Sequence, residues 1–499
     1  MLRSLFTSSL LALSALPAAA QQTVTKQYEA GGVYEGTFRD GLQHGTGTYR
    51  LPSGYEYEGE WVEGRIEGEG RARFPDGAVY VGTFAAGQPD GTGTITYPDG
   101  GSYAGGWVEG RMEGEGVAVY PDGRRYEGGF RDGKHHGEGV IEAPSGYRYA
   151  GGWVDGLREG EGLITYPDGA TYRGGMAADL REGQGVLTLP DGVTYEGGWA
   201  AGEMAGEGVL VQADGERYEG GFAAGRREGE GRVVYGNGDV YEGGFAADRR
   251  EGRGLFRGTD GYEYVGQWHE GRIEGEGRVR YPDGAIYEGG FADGQADGTG
   301  TITYADGSTY AGAWVDGVID GAGRAVYASG LVYEGAFRDA KNHGEGVMTS
   351  PDGYRYEGGW QDGLRHGEGR AVYADGSVYE GGFVEGRREG VGRIEMADGF
   401  RYEGGWLAGE MHGEGVATYP NGDRYEGTFA EGRREGPGTM RYASGQVEQG
   451  EWTGGDLGEG ASVTPPPAGE AAAEGAVEPE PEPEPEAEDG GAAEAEPEG

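Results

Sequence analysis

Apolar and polar residues alternate over most of this chain. In Tyr57-Glu58-Gly59-Glu60-Trp61 the rings and a glycine fall on one side of an extended chain, and the two glutamates fall on the other. Gly93-Thr94-Ile95-Thr96-Tyr97 follows the same rule. A period of two is the mark of a half-buried β-strand, so both runs are predicted as strands. The segment joining two such runs, as in Val62–Gly68, is rich in glycine and is predicted as the turn between them. After the second run comes Pro75-Asp76-Gly77 or a relative of it, such as Asn237-Gly238 or Ser329-Gly330. These are tight-turn signals between strands. A hairpin followed by a hairpin is the expected course of the chain. Helices are excluded by the recurring glycines, each of which costs about 1 kcal/mol in a helix interior.

The hairpin repeats. Tyrosine stands at position 34 and at every 23rd residue from there to Tyr425, which makes eighteen copies with no insertion or deletion between them. Counting each copy from its tyrosine, glycine occupies positions 3, 12, 14 and 21 throughout. It also occupies position 8, except at Asp179, Asp248 and Ala340. The glycine at position 3 is expected to leave room for an aromatic ring from a neighbouring strand. Position 5 alternates Phe and Trp, with Met176 once in the series, and the alternation slips at Phe222 and Phe245. Gly-Arg-Ile-Glu-Gly-Glu-Gly occurs at 64–70 and again at 271–277, an offset of nine copies. Residues 34–240 and 241–447 therefore read as a duplicated nine-copy block. Residues 21–33 and 448–460 are degenerate and read as caps on the two edges of the array.

The motif Tyr-Glu-Gly-x-[Trp/Phe]-x-x-Gly-x-x-x-Gly-x-Gly resembles the membrane occupation and recognition nexus (MORN) repeat, over about Tyr34 to Gly445. The resemblance implies an all-β fold, an elongated array of stacked antiparallel hairpins forming one long twisted sheet. It also implies an accessory, non-enzymatic module, because catalysis in the family's enzymes lies in a separate domain. Lipid binding is the family's traditional role. This chain departs from the pattern in two ways: Lys is rare after the position-8 glycine, and position 2 is Glu in only twelve copies.

Composition changes the picture at the ends. With 113 glycines in 499 residues and a net charge of −46, the chain looks disordered, yet it carries 13 Phe, 9 Trp and 34 Tyr. Residues 1–20 read as a secretory signal: Arg3, an apolar stretch from Leu5 to Leu16, then Pro17-Ala18-Ala19-Ala20 before a cleavage site. Export to the periplasm or beyond the cell is expected. Residues 461–499 hold eleven Glu, one Asp and no Lys or Arg, with Pro-Glu alternation, and read as a disordered acidic tail. That tail carries −12 of the −46, leaving −34 on residues 1–460. So acidic a chain is repelled by nucleic acid and by anionic membranes.

Candidate chemistry is thin. There is no cysteine. Five of the seven histidines (His44, His136, His343, His366 and His412) fall at position 11 and read as polar turn residues, too widely spaced to share a metal. Glu recurs at positions 2 and 13, which reads as a solvated acidic face, with a ladder of weak Ca²⁺ sites as the alternative. The pairs Arg226-Arg227, Arg249-Arg250, Arg387-Arg388 and Arg433-Arg434 read as solubilising turn residues or as local anion contacts. No catalytic residue, cofactor or metal ligand is assigned. The candidate interaction or packing face comprises Tyr57, Trp61, Tyr103, Trp107, Tyr149, Trp153, Tyr195 and Trp199, with Tyr264, Trp268, Tyr310, Trp314, Tyr356, Trp360, Tyr402 and Trp406. The expected function is an exported repeat scaffold for protein partners of unknown identity. A lipid- or glycan-binding surface is the alternative. Self-association into a homodimer or larger assembly is a further expectation, because one sheet leaves a face uncovered.

Overall fold

The computed structural model describes residues 22–466, and among these every element is a β-strand. The chain forms two compact units that part between Gly236 and Asn237. In the first, strands run from Val24–Gln27 to Arg226–Val234. In the second they run from Val240–Ala246 to Ser462–Thr464. Within each unit, successive strands pair antiparallel in a meander. Residues 1–20, read as a secretory signal, lie outside the described residues.

The copy beginning at Tyr57 shows how the hairpin is built. Its strands are Glu56–Val62 and Arg65–Arg73. The turn between them is Glu63-Gly64 alone, with φ of 48° and 85°. Positive φ at both central residues is a type I′ turn, whose twist matches that of the strands it joins. The second strand therefore starts earlier than the expected turn over Val62–Gly68 allowed. The glycine-rich stretch after the turn is strand, and its surplus length is absorbed in a bulge. Gly59 pairs with Gly70 and Trp61 with Ile66, so Glu67, Gly68 and Glu69 together stand opposite Glu60. Gly68 has φ of 86°, which is why position 12 is glycine in every copy.

The other turn matches its sequence signal. Phe74 N–H donates to the Ala78 carbonyl at 2.8 Å, and Gly77 N–H to the Phe74 carbonyl at 2.9 Å. Asp76 Oδ1 accepts from Ala78 N–H at 2.9 Å, an Asx turn. Neighbouring hairpins are also tied turn to strand: Gly64 N–H donates to the Gln43 carbonyl at 2.9 Å, and Gly87 N–H to that of Ile66 at 3.0 Å.

Both ends are capped by short strands, as edge protection requires. Val24–Gln27 pairs with Val33–Gly36. At the other end Asp456–Leu457 and Ser462–Thr464 both pair with the strand Val447–Thr453. The sheet thus runs three residues into the segment expected to be disordered tail. Ser-Val-Thr suits a strand, and Pro465-Pro466, which lack N–H donors, stop it. The tail beyond residue 466 lies outside the described residues.

Candidate functional site: a buried ring column and an open acidic face

On the inner side of each hairpin the position-1 tyrosine folds back along its own strand. Tyr57 is fully buried. Its ring lies over Gly59 and Gly70, where a Cβ would meet the tyrosine at 2.4 Å. Its hydroxyl donates to the Glu60 carbonyl at 2.9 Å. The same bond recurs from Tyr149 to Gly152 and from Tyr356 to Gly359. The ring that needs the position-3 glycine thus comes from the same strand, two residues back, and not from a neighbouring one.

The position-5 ring stands edge-on between two such tyrosines. Trp61 lies 5.1 Å from Tyr34 and 5.6 Å from Tyr57; Phe84 lies 5.1 Å from Tyr57 and 5.0 Å from Tyr80. Tryptophans add a hydrogen bond to the preceding copy, as from Trp61 Nε1 to the Gly47 carbonyl at 3.3 Å and from Trp406 Nε1 to that of Gly392 at 3.1 Å. Trp268 departs from this rule: its Nε1 is buried without a partner among the described residues. The sixteen Tyr and Trp residues of the candidate face are all in this column, between 0 and 7% exposed. They are packing, and present no surface on which a lipid or sugar can stack.

Position 10 completes the column. Arg250 lies 5.6 Å from the Tyr241 ring centroid and 4.0 Å from that of Trp268, and it donates to the Gly271 carbonyl at 2.9 Å. Arg388 and Arg434 do the same with Tyr379 and Trp406, and with Tyr425 and Trp452. The second arginine of these pairs is therefore a structural cation–π contact rather than a solubilising turn residue or an anion site. Strand alternation was the signal for it: position 9 faces out and position 10 faces in. His135 takes the same place in its copy. It stacks on Tyr126 at 3.6 Å, meets Trp153 edge-on at 4.8 Å and hydrogen-bonds the Tyr120 hydroxyl through Nε2 at 2.7 Å. Burial pushes its pKa down to about 4.

Position 11 holds the next turn. Glu67 Oε2 accepts from Ala86 N–H at 3.1 Å, and His44 Nδ1 is 3.5 Å from Glu63 N in the equivalent contact. The position-11 histidines thus stand in a strand rather than in a turn, and this place interchanges His with Glu. No group of three or more His, Asp or Glu side chains is gathered among the described residues.

The outer face is where side chains reach solvent. Positions 2 and 15 pair across the hairpin, as Glu127 with Val140 and Ala150 with Leu163. In the first unit these residues, with Glu115, Glu138, Glu161 and Arg173, line a shallow trough. Position 15 is apolar in five successive copies there, Val117, Val140, Leu163, Val186 and Val209. That run is legible in the sequence as an apolar residue recurring at every 23rd position, two residues after position 13. In the second unit position 15 is often arginine, and it pairs with position 2: Arg278 with Glu288 at 2.7 Å, and Glu380 with Arg370 at 2.9 Å and Arg393 at 2.6 Å.

A hairpin of this form, repeated in register, is what family comparison finds. The MORN repeat model matches eighteen segments from residues 34–54 to residues 425–447. The chain belongs to the MORN repeat family. Its matched segments follow the tyrosine period, and MORN repeats are in general interaction modules rather than catalytic ones. No curated protein matches the sequence. Among solved structures, the chain is similar to the TCP domain of Drosophila melanogaster SAS-4 (dCPAP) in complex with a proline-rich motif of Ana2. That match has 13% identity and a TM-score of 0.19, covering 40% of this chain and 90% of that one. The TCP10 domain of Danio rerio CPAP with a peptide of STIL matches at 13% identity and a TM-score of 0.10, over 67% and 97%. Virginiamycin B lyase of Staphylococcus aureus matches at 11% and 0.11, over 56% and 90%. Likeness at that level carries no argument about fold or partner.

Proposed function

We propose that this MORN repeat protein is an exported, non-enzymatic scaffold that holds protein partners on the outer face of its hairpins. The burial of the whole aromatic column carries this reading. With the rings spent on packing, what each copy offers solvent is a short, regular array of charged and small residues. Such a surface suits polypeptide contacts repeated at a fixed interval. The net charge of −34 on residues 1–460 disfavours nucleic acid and anionic lipid. Export rests on the character of residues 1–20. The experiment is affinity capture with the full chain from the cell envelope of its own organism, alongside sedimentation with anionic vesicles. Recovery of a defined protein set and no vesicle binding is expected. Recovery of no protein, with envelope assemblies unchanged when the gene is deleted, sinks the proposal.

A further inference from the structure

The two units present different chemistry on their outer faces, although they descend from one pattern. In the first unit, Glu115, Glu138 and Glu161 stand one copy apart along one side of the trough. They are exposed and make no hydrogen bond or ion pair among the described residues. Beside them lies an apolar floor of Val140, Ala150 and Leu163, with Arg173, the one cation of the lining, opposite Leu163 at its end. At the positions of the second unit aligned with these by the nine-copy offset, Ala322 stands in place of Glu115 and Arg370 in place of Leu163, and Glu380 is held by both Arg370 and Arg393; earlier in that unit a second trough contains Arg278, paired with Glu288.

We infer that the first-unit trough binds an extended, cationic polypeptide segment running across the strands, with a basic residue at every third position, and that the second unit does not. This rests on the scaffold reading above and adds the chemistry of one partner. Free carboxylates in a row call for cations, and the apolar floor calls for small apolar groups between them. The interval comes from geometry. One copy contributes two strands at about 4.8 Å, so successive carboxylates are roughly 10 Å apart. Three residues of polyproline II at about 3.1 Å each span roughly 9 Å. The protein's own tail, with twelve acidic residues and no basic one, has the wrong charge to be the occupant.

The test is fluorescence anisotropy with the full chain at low ionic strength. The probes are a labelled peptide of repeated Lys-Pro-Ala triplets, a length-matched peptide of Lys-Ala pairs and a Glu-Pro-Ala control. The triplet peptide should bind most tightly, and the acidic control should not bind. Substituting Glu115→Gln, Glu138→Gln and Glu161→Gln together should weaken the triplet peptide by about tenfold or more. Glu345→Gln with Glu368→Gln in the second unit should leave it nearly unchanged. All five sites are exposed, so the variants should fold, which circular dichroism checks. Equal binding by the triple variant, an equal loss in the second-unit variant, or no preference for the triplet spacing overturns the inference. Partner capture that survives the triple substitution overturns the trough assignment and leaves the scaffold reading standing. Peptide binding without any captured partner does the reverse.

Discussion

Glycine at position 14 and glycine at position 8 answer different demands, and substitution separates them. At Gly70 the backbone is extended, and the demand is space. A methyl group there would sit 2.4 Å from the Tyr57 ring, which is itself pinned by its hydroxyl. Gly70→Ala should destabilise its hairpin by about 2–3 kcal/mol, read as faster amide hydrogen exchange over residues 56–73. At position 8 space is open and the demand is a positive φ. Three copies meet it without glycine: Asp179, Asp248 and Ala340, at φ of 72°, 70° and 60°. Asp179 gains an ion pair with Arg158 at 2.9 Å, whereas alanine has only the cost. Ala340→Gly should therefore raise stability by about 1 kcal/mol, seen as slower exchange in the hairpin Val332–Thr349. A loss of stability there would contradict the turn geometry.

At the scale of the hairpin, what was legible in the sequence was whatever obeys a period. The copy length, the strand faces and the Pro-Asp-Gly turn follow from residue type and spacing. The early start of the second strand does not. Glu63-Gly64 can be a loop residue pair or a type I′ turn, and only the bulge at Glu67–Glu69 reconciles that turn with the pairing of Gly59 and Gly70. The tyrosine's course along its own strand was hidden for a related reason. Alternation says which face a ring is on, not which way it lies. His135 gives the hairpin a pH dependence of definite sign. Its folded-state pKa is depressed to about 4 from 6.5, so the unfolded chain takes up a proton first as pH falls. Stability is unaffected above pH 6.5, declines between 6.5 and about 4, and levels off below. The ring is only part-buried, so the loss is on the order of 1 kcal/mol after solvent screening. Exchange in Arg125–Glu142 at pH 5 should exceed that of the His135→Met variant, while the two agree at pH 7.5.

For the molecule as a whole, the tyrosines set an alkaline limit. Burial raises the column's hydroxyls, Tyr80, Tyr103 and Tyr195 among them, to about 12 from 10.0. A raised folded-state pKa means that stability is fully present below pH 10 and is lost as pH climbs toward 12. Many such groups act together, so unfolding above pH 10 should be steep. Ultraviolet absorbance of tyrosinate should rise in step with loss of the β signal in circular dichroism. Tyrosinate formation well before any loss of strand structure would contradict the burial of the column.

The turn-to-strand bonds, such as that from Gly64 N–H to the Gln43 carbonyl, recur with the same partners copy after copy. Their inheritance follows from that regularity. A crossover between misaligned copies of the gene joins position n of one hairpin to position n+1 of another, wherever the break falls. Every bond across the new joint then finds its usual acceptor. Recombination can lengthen or shorten the array in whole copies without a misfolded intermediate, so natural variants should differ by multiples of 23 residues. Gly-Arg-Ile-Glu-Gly-Glu-Gly stands at both 64–70 and 271–277, nine copies apart, while position 15 differs between the two units and gives each a separate surface to select.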